Sequence, residues 1–196
     1  MMGKMIFKCP MAIGEFNELY RHRSLQYPDA EVLCTLIRNY KLADILELGT
    51  FIGLSAKVMA MAVRENGFGH ITSVDLWGPG ERFAGKNSPC RGELLDDDDL
   101  KIITLITADE LEYLKSIPAE SLDMVFEDTN HAARMIKKAV PLIERALRPG
   151  GIALFHNSNW QSVKLGLKFA GVTERLHNFD ELKGCTITML RKEKNE

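Results

Sequence analysis

Ile45-Leu46-Glu47-Leu48-Gly49-Thr50-Phe51-Ile52-Gly53-Leu54-Ser55-Ala56 is an apolar strand that ends in a carboxylate and breaks into a glycine-spaced turn. It reads as a nucleotide-type cofactor site. Gly49 and Gly53 let the backbone turn sharply and let a ligand approach it, and the helix that follows offers free amide donors. The spacing is G-x-x-x-G, so the pyrophosphate-cradling G-x-G-x-x-G is absent. A carboxylate at Glu47 repels a phosphate and attracts a cation. Together these features point to S-adenosyl-L-methionine, whose amino acid end carries an ammonium and whose sulfur is positive.

Outward from this stretch, apolar runs of strand length alternate with segments of helical period, the pattern of a parallel sheet covered by helices on both faces. Strands are predicted at 45–48, 71–75, 102–106, 123–126 and 152–156. Leu54, Val58, Met61 and Ala62 fall on one face of a helix, with Gly67 where a stop is expected. Val32, Leu33, Leu36 and Ile37 mark an earlier helix that starts after Pro28. A helix over 132–147 contains Pro141, which predicts a kink or a division there. The stretch 78–99, with Gly78-Pro79-Gly80 and four successive aspartates, reads as a long loop, and such loops in compact domains are functional or mobile. A last strand is expected over 184–191.

At 196 residues, 45% apolar and 27% charged, the chain fits one soluble domain with a real core. A formal net charge of -2 gives no electrostatic footprint for nucleic acid, and the local patch Arg21-His22-Arg23 reads most simply as solvated surface. No apolar run resembles a signal peptide or a membrane span, so no membrane partner is expected. Cys9, Cys34, Cys90 and Cys185 form no C-x-x-C pair, which argues against a zinc ribbon or redox motif and fits a cytoplasmic location.

The motif around Gly49 resembles the L-E-I-G-T-x-x-G-x-S of class I SAM-dependent methyltransferases, in particular the small O-methyltransferases related to catechol and caffeoyl-CoA methyltransferases. Phe126-Glu127-Asp128-Thr129-Asn130-His131 resembles their F-I-D-G-D-H segment, and Gly150 to Asn157 is similar to G-G-x-x-x-x-D-N. The resemblance, running from about Tyr27 to Lys192, implies an α/β fold: a Rossmann-like, doubly wound, mostly parallel seven-stranded sheet with an antiparallel last strand. It implies a single domain, with 27–196 as core and 1–26 as a lid or dimer segment. It further implies S-adenosyl-L-methionine as cofactor, a small-molecule acceptor methylated at oxygen, a divalent cation (magnesium or manganese) and a homodimer.

Cofactor contacts are expected from Glu47, Gly49, Thr50, Gly53 and Ser55, from Asp75 toward a ribose diol, and from Leu76 and Trp77 toward an adenine face. Asp109 is expected at the adenine amino group, although it could equally cap the helix starting at Glu110; a core role for Trp77 is also open. The resemblance places Asp128, a cofactor and cation contact, at the reaction centre with His131, which would take the acceptor's proton. Asn157 and His156 fall on the other two metal positions. His156 stands where relatives carry an aspartate, which weakens a magnesium site and shifts preference toward manganese, iron or zinc; against relatives ending this strand in H-D, Asn157 instead stands for the aspartate. Simpler roles for the two histidines are a helix-start contact at His131 and a satisfied buried hydrogen bond at His156. Trp160 is expected to line the acceptor pocket or the core. Two other classes stay open: a SAM-binding protein without catalysis, and a nicotinamide oxidoreductase, against which the missing G-x-G-x-x-G argues.

Overall fold

The computed structural model describes residues 5–20, 24–83 and 88–193; the patch at 21–23 lies outside them. Seven strands, β1 (Asp44–Leu48), β2 (His70–Asp75), β3 (Ile103–Thr107), β4 (Leu122–Glu127), β5 (Leu147–Phe155), β6 (Leu176–Asn178) and β7 (Thr188–Arg191), form one sheet in the order β3-β2-β1-β4-β5-β7-β6. The first five run parallel. β7 alone is reversed, antiparallel to both β5 and β6. Six helices accompany them: α1 (Ile13–Leu19), α2 (Tyr27–Tyr40), α3 (Leu54–Asn66), α4 (Glu110–Ser116), α5 (Ala133–Ala146) and α6 (Gln161–Phe169).

Successive strand side chains point to opposite faces, which divides the core in two. Ile45, Met124, Phe126, Ile152 and Leu154 pack with the apolar stripes of α2 and α3. Leu46, Leu48, Val125, Ala153 and Phe155 pack with those of α4, α5 and α6. Burial on both faces is why these strands read as nearly continuous apolar runs.

Several expectations need correction. α5 runs undivided through Pro141, because that residue and Lys137, whose carbonyl it cannot bond, lie on the exposed side of the helix. The fifth strand, expected at 152–156, starts at Leu147 and contains a bulge: pairing passes from Leu122 with Leu147 to Met124 with Ile152. The last strand begins only at Thr188, and residues 173–175 form a 3-10 turn ahead of β6. α1 packs on α2 through buried Phe16, whose ring stacks 6.1 Å from Tyr20 and meets Tyr27 edge-on at 5.2 Å. No described helix is long and apolar enough to cross a membrane.

Strand order reverses between β1 and β4. In open parallel sheets that reversal leaves a crevice at the carboxyl ends of the strands, where ligands bind.

Candidate active site

The turn after β1 forms one wall of this crevice. Gly49 has φ +93°, and a Cβ on it would lie 2.1 Å from the Asp128 carbonyl oxygen, so the close approach of β1 and β4 permits no side chain. Gly53, at φ +88°, starts α3 with Leu95 packed against it. Asp75 at the end of β2 braces the turn: its Oδ2 accepts from the amides of Thr50 at 3.0 Å and Phe51 at 3.1 Å.

Glu47 is placed differently from the sequence expectation. Strand alternation turns it to the α3 face, where it is 0% exposed and accepts from the hydroxyls of Ser55 and Ser73. Burial pushes its carboxyl up to about 8, so it is mostly neutral at pH 7. It therefore supports the turn from beneath, and neither it nor Gly53 lines the cavity above.

That cavity has a volume of about 960 Å³. One half is bordered by Gly49, Thr50, Ser55, Asp75, Leu76 and Trp77. Trp77 is 41% exposed and meets Phe83 edge-on at 5.7 Å, which makes it a wall of the crevice and not a core residue. Asp109 caps α4, its Oδ1 accepting from Leu111 N at 2.9 Å and Glu112 N at 3.1 Å, and also borders the cavity.

The other half gathers Asp128, His131, His156 and Asn157, with Trp160 at its edge 5.1 Å from the His131 ring. His131 and Asn157 adopt left-handed φ values of 56° and 50°. Such conformations cost on the order of 1–3 kcal/mol in non-glycine residues and cluster at functional sites. Asp128 Oδ1 lies 3.1 Å from His131 Nε2 and 2.8 Å from His156 Nδ1. The Asn157 amide is 3.3 Å from His131 Nε2 and 3.0 Å from His156 Nδ1.

His156 is held from its far side as well. Its Nε2 lies 3.3 Å from Asp29 Oδ2, an electrostatic contact without hydrogen-bond alignment. Burial by itself lowers the pKa of this imidazole, but the Asp128 and Asp29 carboxylates outweigh that and push it up to about 10. Asp128 shows the converse: burial raises its carboxyl, and the two histidines more than offset this, holding it below the usual range. Asp29 is fixed in turn by Thr186, whose amide donates to Oδ1 at 2.6 Å and whose hydroxyl donates to Oδ2 at 2.9 Å. Sequence reasoning missed Asp29, since Pro28-Asp29 signals only a helix start. It also missed Glu110 and Glu127 as a pair; burial pushes Glu127 up to about 7 and raises Glu110 too.

Donor atoms of Asp128, His131 and His156 all lie within 4.8 Å of one another, as a metal site requires. Asp29 stands behind His156 as carboxylates commonly stand behind ligating imidazoles. With one carboxylate (Asp128), one amide (Asn157) and an imidazole (His156) as donors, the set suits a first-row transition ion better than magnesium.

A family model described as a methyltransferase domain matches residues 46–158, which span β1, the turn, β4 and the strand end at His156. The chain belongs to the methyltransferase-domain family. Solved structures extend the likeness across nearly the whole methyltransferase. An assigned caffeoyl-CoA O-methyltransferase from Staphylococcus aureus superposes with a TM-score of 0.64 at 18% identity, covering 93% of this chain and 92% of that one. The O-methyltransferase TomG from Streptomyces achromogenes, involved in tomaymycin synthesis and solved with SAM, gives 0.61 at 18% identity over 87% of this chain and 82% of its own. The SAH-bound methyltransferase PaMTH1 from Podospora anserina gives 0.57 at 19%, over 85% and 78%. At these identities the superpositions establish the fold. No curated protein matches the sequence.

Proposed function

We propose that this methyltransferase uses S-adenosyl-L-methionine to methylate a hydroxyl of a small-molecule acceptor. The observation that carries the reading is one cavity with two chemically distinct halves: a glycine turn with an acid and an aromatic wall, facing a carboxylate–histidine cluster. Its volume is of the size that encloses small ligands. Asp75 uses Oδ2 for the turn and keeps Oδ1 for a ribose hydroxyl; among the described residues, Oδ1 receives a long 3.4 Å bond from the Trp77 amide. The amino end of α3, with Ser55, suits a methionyl carboxylate. Leu76 and Trp77 offer the adenine an apolar surface.

Bound there, the sulfonium would supply an electrophilic methyl group and leave as a neutral thioether. The protein's part is to hold the acceptor oxygen opposite the sulfur and to remove its proton. His131 takes the proton, and Asp128, 3.1 Å from its Nε2, stabilises the imidazolium so formed. Trp160, Ser24 and Gln26 border the acceptor end, which supports a lid role for the part of the chain just before 27. A divalent cation fits the cluster: Asp128 and His156 would hold it with Asn157, where it would polarise the acceptor hydroxyl.

Calorimetric titration of SAH, with and without manganese, zinc and magnesium, tests the reading. We expect wild-type binding in the micromolar range. Asp128→Asn should keep SAH affinity within about threefold yet lose at least about a hundredfold in turnover. Full activity in that variant would remove Asp128 from the reaction centre; SAH binding without turnover by wild type across hydroxyl acceptors would favour a non-catalytic SAM-binding protein.

A further inference from the structure

Arg91 is 1% exposed and, among the described residues, heads the fully buried side chains by volume, yet every oxygen it bonds there is neutral. Nε and Nη2 donate to Thr50 Oγ1 at 3.1 and 2.9 Å. Nη2 also donates to the carbonyls of Ser73 at 2.9 Å and Ile106 at 3.0 Å. Nη1 donates to the Trp77 carbonyl at 2.6 Å and, at 3.4 Å, to Thr107 Oγ1. Burying a cation without an adjacent counter-ion costs several kcal/mol unless its hydrogen bonds are satisfied. Burial lowers the pKa of Arg91, and only the more distant Asp75 and Glu47 oppose this.

The acceptors share one property. They belong to the turn after β1, to the end of β2 and to the end of β3, which together make the cofactor half of the cavity. Thr50 is the link to the ligand-facing acid, because its amide donates to Asp75 Oδ2 while its hydroxyl receives Arg91. The backbone beside Arg91 docks on the same turn: Gly92 N donates to Phe51 O at 2.8 Å and Leu94 N to Ile52 O at 3.0 Å. The stretch 78–99, read from sequence as functional or mobile, is therefore tied at its centre to the glycine turn.

We propose that Arg91 is a positioning residue for the sulfonium cofactor, acting through Thr50 and the Trp77 carbonyl to set the distance between the glycine turn and the Trp77 wall. This rests on the SAM reading above. The role needs a fork. A guanidinium bonds several fixed oxygens in one plane, whereas a lysine ammonium in the same space is a single point of charge.

The test compares Arg91→Lys, Thr50→Val and the double variant by SAH calorimetry, SAM-dependent initial rates and thermal melting. Each single variant should weaken SAH about tenfold and raise the KM for SAM in parallel, with kcat within about twofold. The double variant should lose clearly less than the sum of the two singles, because both remove the Arg91–Thr50 bonds, although Thr50→Val also removes the 2.7 Å contact of the same hydroxyl with Ser73 Oγ. Thr50→Ser, which returns the hydroxyl, should bind more tightly than Thr50→Val. Should Arg91→Lys fail to fold, the Val and Ser variants at Thr50 decide, and equal affinity in those two overturns the proposal. Unchanged SAH affinity in folded Arg91→Lys, or a fall in kcat with KM unmoved, overturns it as well. Absence of SAH binding by wild type removes the SAM reading itself, whereas binding that Arg91→Lys retains removes only the role of Arg91.

Discussion

Without a bound cation, His156 carries its charge where burial opposes it, so its contribution to the stability of the metal-free protein depends on the two carboxylates that face it. Its folded value of about 10 lies above the ordinary 6.5. A raised histidine adds stability that is complete below about pH 6.5 and is lost as the pH rises through about 10. Wild-type protein should therefore melt at progressively lower temperature from pH 7 to 10. His156→Gln should start lower at pH 7 and show a flatter decline, and parallel melting profiles for the two would sink this account. At this scale the sequence was legible where neighbours along the chain define a role: Asp128, His131, His156 and Asn157 meet as their segments implied. Asp29 and Arg91 were illegible, because their importance lies in partners from distant segments, Thr186 and His156 for one and three strand ends for the other. A lone arginine in a loop gives no signal that it is buried.

The element that decides the site is β1 with its turn and α3, and the strand alternation that sequence periodicity reveals also explains the misplacement of Glu47. A carboxylate at a strand end looks ligand-facing. Counting from Ile45, however, Glu47 shares that residue's face and must lie under α3. Its value of about 8 against the ordinary 4.5 means that the folded state holds a proton the unfolded chain has released. Stability is thus greatest below about pH 4.5 as far as this group is concerned, falls as the pH rises toward 8, and levels off beyond. Glu47→Gln removes the titration while keeping one acceptor oxygen for Ser55 or Ser73 and turning an N–H donor toward the other hydroxyl. Its melting temperature relative to wild type should climb between pH 5 and pH 8, as calorimetric melts at three or four pH values would reveal; a constant difference would mean that Glu47 is charged in the folded protein. The strands themselves were readable because burial on both faces leaves little but apolar residues in them. Their ends were less so: β5 absorbs a glycine bulge and α5 tolerates an exposed proline, and neither depends on local pattern alone.

For the whole molecule, the strand order places the crevice between β1 and β4, and the two halves of the cavity derive from the two sides of that reversal. β1, β2 and β3 supply the turn, Asp75, Trp77 and Asp109. The ends of β4 and β5 supply the carboxylate–histidine cluster, which α2 and the segment ahead of β7 brace through Asp29 and Thr186. A ligand bridging these halves binds only the folded chain, so it must stabilise the fold by mass action. SAH at about a hundred times its dissociation constant should add about 2.7 kcal/mol. For a chain of this length that corresponds to a rise in melting temperature of about 5–10 °C. Nicotinamide dinucleotides, whose pyrophosphate finds no G-x-G-x-x-G turn here, should leave the melting temperature unchanged. The same scan run with each ligand separates the two cofactor classes without knowledge of the acceptor: a shift with the dinucleotide and none with SAH would reverse the assignment of the crevice.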